Sequence, residues 1–392
     1  MALSEEPGFA CIDARSARTG AGRYSFVTAL PIHTFGLSGG FVTVDGRTTI
    51  ERPYAAFSRF SARIREFGSD PYLPFNGGML GYVGFEGARA LRGFEPARGF
   101  SRLPQLWFGM YDSAAIFDHV EARAFIVANA ACASESETRA HAFMGRISME
   151  RPGNTAGRDS TTSRGELRMS PADCEFLRTL DAARSWVRAE RAERIHIARH
   201  GLTPVADRTP IEFFFEKRAE DEVRAIFVRE GAACIASSFE GLLEVKGREL
   251  RHIPSFCRAA ASDVEREIEE ELKRLCADNE VTLSKSDSGV SVFTGRLRHE
   301  MSPIDALVGL MPAHSMTGAP YDRAMDFING NDETHRTLYG GAFGIADASG
   351  LWFRTAEAVR TIADGALSTT AGADITANID SRSFVDQLNA RL

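Results

Sequence analysis

Two short turns limit what this chain can fold into. Asp45-Gly46 lies between Gly40-Phe41-Val42-Thr43-Val44 and Arg47-Thr48-Thr49-Ile50, and an Asp-Gly pair between alternating β-formers predicts a hairpin. A second hairpin is expected over Ala233–Arg251, around Lys246-Gly247. Helical stretches interrupt the strands at irregular intervals. One runs from Tyr54 to Phe67, with Phe57, Phe60, Ile64 and Phe67 at three- and four-residue spacing. Further helices are expected over Pro171–Arg191, Pro210–Ala219, Asp263–Cys276 and Ser381–Leu392, and strands at Arg23–Val27, Arg194–His200 and Glu222–Val228. Antiparallel strands mixed irregularly with helices argue for an α+β fold rather than a doubly wound parallel sheet. No internal repeat of short period is present.

Residues 151–165 are polar and rich in Gly, Ser and Thr, and read as a mobile surface connection. They divide an N-terminal half, 1–150, from a C-terminal half, 169–392, with 151–168 between them; the two halves are expected to form one interwoven unit. The composition, 44% hydrophobic and 25% charged over 392 residues, suits a soluble globular protein with a sizeable core. A net charge of −7 gives no support to nucleic acid or an anionic membrane as partner, although it permits a local basic pocket. Cys11, Cys132, Cys174, Cys234, Cys257 and Cys276 are scattered, with no CxxC pair and no zinc spacing. With no signal peptide and no apolar run long enough to span a bilayer, reduced thiols in a cytoplasm are expected.

The densest run of informative residues is 316–345. Thr317-Gly318-Ala319-Pro320 leads into a helix, and Arg336-Thr-Leu-Tyr339-Gly340-Gly341 follows it. Further on stand Glu357-Ala-Val-Arg360-Thr361 and Thr370-Ala371-Gly372-Ala373, and in the first half Phe75-Asn76-Gly77-Gly78-Met79-Leu80-Gly81-Tyr82. Gly318, Gly340 and Gly372 let the backbone approach a ligand closely, and free N–H groups in such turns favour carboxylates. Arg360 offers a planar fork for a carboxylate, with Tyr339 as a neutral donor beside it. Taken singly, these residues fit equally well as turn glycines, an Arg360 paired with a structural acid, and a core Tyr339.

Taken together and in order, the five segments resemble the chorismate-utilising enzymes, the family of the synthase subunits for anthranilate and 4-amino-4-deoxychorismate. They match in turn its TGAPK loop, the strand after that loop's helix, its IRT strand, its GAG turn and its F-x-GG-x-x-GY signature. The resemblance implies two packed antiparallel sheets flanked by helices. It also implies a pocket in which Thr317, Gly318, Ala319, Tyr339, Gly340, Arg360, Thr361 and Gly372 bind a carboxylated substrate. A glutamine amidotransferase partner is implied by family analogy alone.

The chain departs from the family where chemistry is done. Family enzymes hold Mg²⁺ with paired glutamates on two helices. One pair lies in a DEKE-x-x-EH helix; here Cys276-Ala-Asp-Asn-Glu-Val281 runs directly into Thr282–Gly289, without those glutamates. The acidic run Glu265, Glu267, Glu269, Glu270 and Glu271 reads as a solvated helix face. At the second pair stand Ser383 and Asp386, and Asp386 alone is a weak metal candidate. No cofactor is therefore expected.

The family's histidine is matched by Ser288, whose hydroxyl can donate a hydrogen bond but cannot act as a general acid near neutral pH without help. Arg194 stands where the family places a lysine or glutamine, and it does not give up a proton readily. Tyr321 replaces the TGAPK lysine. His196 and His200 share a strand face, and a metal there would need a third ligand; structural histidines are the plainer reading.

Three functions follow. The first is the ancestral reaction, hard to run with metal ligands, histidine and base all changed. The second is metal-independent chemistry in the inherited pocket, with Arg194, His196, Ser288, Tyr321 and Asp386 as working groups; a pocket collapsed or plugged by side chains would sink it. The third is a non-catalytic protein that binds a ligand or a partner subunit.

Overall fold

The computed structural model describes residues 2–14, 22–68, 70, 72–94, 101–148, 167–205, 208–216, 222–239, 241–254, 262–286, 289–332 and 335–389. The expected connection 151–165 lies outside them, as does Ser288. Among the described residues the strands form two antiparallel sheets. One runs, in spatial order, Arg168–Ser170, Ile195–Pro204, Ala366–Ile375, Ala358–Ala363, Ala232–Ser238, Val223–Arg229, Ala10–Asp13, Tyr24–Thr28, Ser113–Asp118 and Arg123–Ala128. The other runs Cys276–Lys285, Ser291–Leu297, Glu249–His252, Leu243–Lys246, Gly350–Thr355, Ala342–Asp347, Gly78–Val83, Leu106–Tyr111, His33–Ser38, Phe41–Val44 and Arg47–Thr49. Strands from before residue 150 and from after residue 167 stand in both sheets.

Strand alternation decides what each face buries. In Val223–Arg229, the side chains of Val223, Ala225 and Phe227 join a core between the sheets, while Ile226 and Val228 belong to a separate apolar cluster. Aromatic rings close the gap from both sides: Phe227 of the first sheet lies 5.2 Å from Tyr82 and 6.4 Å from Trp107 of the second, edge to face. The first sheet's other face is covered by helices. Phe176, Leu180, Ala183 and Val187 fall on one side of Asp173–Glu190 and pack on Ile195, Ile197 and Ile375, with Phe384, Val385 and Leu388 of Ser381–Asn389 beside them.

The Asp45-Gly46 turn is present, with both residues at positive φ (51° and 74°), as a two-residue hairpin requires. The helix expected over Tyr54–Phe67 is α-helical at Pro53–Ala62 and tightens to a 3₁₀ turn over Arg63–Glu66. The hairpin expected over Ala233–Arg251 is corrected. Ala232–Ser238 pairs with Val223–Arg229 and Ala358–Ala363 in the first sheet, and only Leu243–Lys246 and Glu249–His252 form a hairpin, in the second. The chain changes sheets between Ser238 and Leu243, a crossing that local pattern does not encode.

Candidate functional site

The longest strand pairing sets the site. Ile195–Pro204 and Ala366–Ile375 run antiparallel over ten residues, placing His196 opposite Asp374, Ala198 opposite Gly372 and His200 opposite Thr370. Ile195 and Ile197 turn outward to the helices, and Ala198 joins the core between the sheets. His196, His200, Thr370, Gly372 and Asp374 therefore share the inner face. The Thr317-Gly318 turn docks on the start of this strand: Thr317 O accepts from His196 N at 2.8 Å, and Gly318 bridges Ile195. Gly318 has φ +145°, and a Cβ there would stand 2.9 Å from Arg194 O and 3.1 Å from Ile195 Cα.

On that face four side chains form one buried chain of contacts. His196 Nδ1 is 2.7 Å from Asp374 Oδ1, and its Nε2 is 2.8 Å from the Tyr339 hydroxyl. Arg194 Nη1 donates to the same Asp374 Oδ1 at 2.6 Å and to Ser315 O at 2.8 Å. Gly372 makes room for this group, since a Cβ there would lie 2.6 Å from the Tyr339 hydroxyl and 2.7 Å from His196 Nε2. Behind it, the buried Arg336 guanidinium donates to His196 O, Met316 O and Asp332, and lies over the Phe85 ring.

Burial pulls the His196 imidazole below its ordinary pKa, against the opposing pull of Asp374. Burial pushes Asp374 upward, but the hydrogen bonds and charges of His196 and Arg194 outweigh it, so the carboxyl stays below its ordinary value. Asp374, with its side chain 22% exposed, is the most open member of the group. His200, four residues along, binds Thr370 Oγ1 at 2.8 Å and His335 O at 2.9 Å, as a structural histidine would.

Several expected site residues lie elsewhere or do other work. Arg360 is on the opposite face of its strand: it alternates with Val359 of the inter-sheet core, shares a face with Ile362, and binds Glu216 at 2.7 Å. Its guanidinium therefore stands apart from His196, Tyr339 and Asp374. Thr361 faces the buried Cys234 thiol and hydrogen-bonds to it. Tyr321 makes contacts of its own, away from that group. Its hydroxyl donates to Pro312 O at 3.0 Å and its ring stacks on His314 at 4.2 Å, among apolar neighbours. Thr317 caps its own turn through Ala313 O, Ala319 is core, and Gly340 holds φ +74° with its N–H on Ala356 O.

Asp374 and Arg336 escaped attention as site residues. The signal for Asp374 was available: it follows Gly372-Ala373, and the two-residue strand period puts it on the face of Gly372.

The sequence model of the family described as chorismate binding enzyme matches residues 30–254 and 288–382. The chain belongs to that family. It is 27% identical over 363 residues to anthranilate synthase component 1 of Streptomyces coelicolor, covering 78% of this chain and 70% of that one. With the Thermus thermophilus protein of the same name it shares 25% over 398 residues, covering 91% and 84%. A 91-residue stretch is 38% identical to 2-amino-4-deoxychorismate synthase of Streptomyces globisporus, covering 23% of this chain and 18% of that one. Among solved structures, anthranilate synthase component I from Streptococcus pneumoniae superposes with a TM-score of 0.79 at 19% identity, covering 94% of this chain and 90% of that one. The menaquinone-specific isochorismate synthase of Escherichia coli gives 0.66 at 12%, covering 99% and 88%. These overlaps confirm the α+β fold of two packed antiparallel sheets.

The unmatched residues 255–287 include the helix Ser262–Leu275 and the strand Cys276–Lys285, which meet without a linking residue. The glutamates of this helix have partners within the chain. Glu265 is held by Lys285 and Ser291, Glu267 accepts from Tyr321 N at 3.0 Å, and Glu271 pairs with Arg274. Ser381–Asn389 buries Phe384, Val385 and Leu388 and leaves Asp386 exposed. Among the described residues no three His, Cys, Asp or Glu side chains converge as a metal set.

Proposed function

We propose that this chorismate-family enzyme takes chorismate or a similar carboxylated small molecule and acts on it by acid–base chemistry that needs no metal. The observation that carries this reading is the Asp374–His196–Tyr339 chain packed over Gly372, since Tyr339 and Gly372 are among the residues to which the family resemblance assigns the substrate. A phenol held by an imidazole, itself held by a carboxylate, can pass a proton between Tyr339 O and His196 Nε2 and so serve as a positioned acid or base. Arg194 is the cation that a ligand carboxylate would share with Asp374, entering past that more open side chain.

A second reading, a non-catalytic protein that binds a ligand or partners a glutamine amidotransferase subunit, is favoured by two observations. His196 and Tyr339 fill the space above Gly372, and Arg360 is committed to Glu216.

The test is a mass-spectrometric assay of the whole chain with chorismate and ammonium, with magnesium and then with EDTA, beside a His196→Gln variant. A product formed in EDTA and lost in the variant is expected. Magnesium-dependent anthranilate, aminodeoxychorismate or isochorismate would overturn the metal-free reading. Chorismate bound but unchanged would favour the second.

A further inference from the structure

Asp374 uses one oxygen, Oδ1, for two donors: His196 Nδ1 at 2.7 Å and Arg194 Nη1 at 2.6 Å. An ionised carboxylate only accepts, and the Arg194 contact favours that ionised form. The proton between Asp374 and His196 must then sit on Nδ1. A neutral imidazole carries one proton, so Nε2 is bare and accepts from the Tyr339 hydroxyl at 2.8 Å. Tyr339 has a single proton, and it points at His196.

A ligand carboxylate is also acceptor-only. To be held by Tyr339 it needs that same proton, which leaves Nε2 without one. The imidazole resolves the conflict by taking a proton from solvent: Nε2–H then donates to Tyr339 O, and Tyr339 donates to the ligand. We infer that Asp374 is a positioning residue that fixes His196 in its Nδ1–H form, so that capture of a carboxylate at Tyr339 takes up one proton onto His196. This rests on the ligand class proposed above and holds for a catalytic or a purely binding protein alike.

The groups around His196 fit that exchange. Asp374, on the paired strand, gains attraction for the imidazolium, and the ligand's charge adds to it. Arg194, next but one along the chain, and Arg336, on the turn before Ala342–Asp347, oppose it. Burial, and these two cations to a lesser degree, favour the neutral imidazole until an anion arrives. The balance is conserved: one proton leaves solvent, one ligand anion enters, and no bond other than N–H forms.

Two measurements on the full chain test this. The first is ¹⁵N NMR of histidine-labelled protein without ligand, with His196 assigned by loss of its signals in His196→Gln. Protonated Nδ1 and bare Nε2 at pH 7.5 are expected in the wild type, with an Nε2–H form appearing in Asp374→Asn, whose amide can donate. An Nε2–H tautomer or an imidazolium in the wild type overturns the assignment.

The second is calorimetric titration with chorismate, and with benzoate as an unreactive carboxylate, in buffers of different ionisation enthalpy. Uptake approaching one proton per ligand is expected at pH 7.5, with affinity rising by about tenfold per pH unit as pH falls. Asp374→Asn should bind with little or no uptake. Binding without uptake in the wild type, or equal uptake in Asp374→Asn, overturns the coupling while leaving the proposed ligand class standing. No binding of either carboxylate overturns both. Binding with uptake but no product in the mass-spectrometric assay sinks the enzymatic reading alone.

Discussion

A methyl group at position 372 would meet the Tyr339 hydroxyl at 2.6 Å and His196 Nε2 at 2.7 Å, so the hydrogen bond between them exists only because that residue is glycine. Gly372→Ala is expected to part the pair and destabilise the fold by about 1–3 kcal/mol, read from urea unfolding together with the His196 ¹⁵N shifts. His252 is a different kind of buried imidazole. The Leu242 carbonyl beside it already accepts from Ile253 N at 2.9 Å, and neither His252 ring nitrogen makes a hydrogen bond with a described residue. Burial draws its pKa down to about 4, and that of His314, which it faces, to about 3. In the unfolded chain both would titrate near the ordinary 6.5, so below that pH the unfolded state binds more protons. Stability should therefore be complete above about pH 6.5 and decline as pH falls toward 4. The expected loss from His252 alone is about 2 kcal/mol by pH 5. Urea midpoints at pH 7 and pH 5 would show it, and His252→Leu should reduce the slope; an unchanged slope would place the titration elsewhere.

Within elements, alternation decides which motif residues can share a face. Arg360 and Thr361 were recognisable in the sequence, but which of them faces the inner side depends on the register of Ala358–Ala363 against Ala232–Ser238. A shift of one residue reverses every side chain. The structure puts Val359 and Thr361 inward and Arg360 outward, bound to a Glu216 that Arg208 also holds at 2.7 Å. Arg360, 37% exposed, should therefore matter little: Arg360→Ala is predicted to cost under about 1 kcal/mol in thermal unfolding and to leave carboxylate binding unchanged. A collapse of ligand affinity in that variant would return Arg360 to the pocket. The helix Ser262–Leu275 shows the same dependence. Its glutamates look like a solvated face in sequence, yet Glu267 reaches Tyr321 N at the start of Tyr321–Asn331, where burial raises its pKa.

Across the whole molecule, the sheets are joined by apolar side chains that only their facing brings together. Phe227 meets Tyr82 and Trp107 across the gap, so Phe227→Ala should cost about 3–5 kcal/mol in a urea titration, more than the exposed Phe41→Ala in the hairpin at the sheet's edge. No described helix is long and apolar enough to cross a membrane. Magnesium should leave the thermal midpoint where EDTA leaves it. A rise on adding magnesium would reveal a site built from carboxylates that the fold appoints to other partners.

The order of five short segments, four of them marked by glycine, determined the family and, through it, the two-sheet architecture, because turn glycines and strand periods are local properties that survive in a linear string. The Asp45-Gly46 hairpin and the main helices were legible for the same reason. The site was only half legible. Tyr339, Gly372, His196 and Arg194 could be singled out, but their union with Asp374 required pairing residues 178 and 180 positions apart along the chain. Whether a side chain meets a ligand, a thiol or a carboxylate depends on strand register and on which face the second sheet covers. Those are set by long-range packing, and only the tertiary structure decides them.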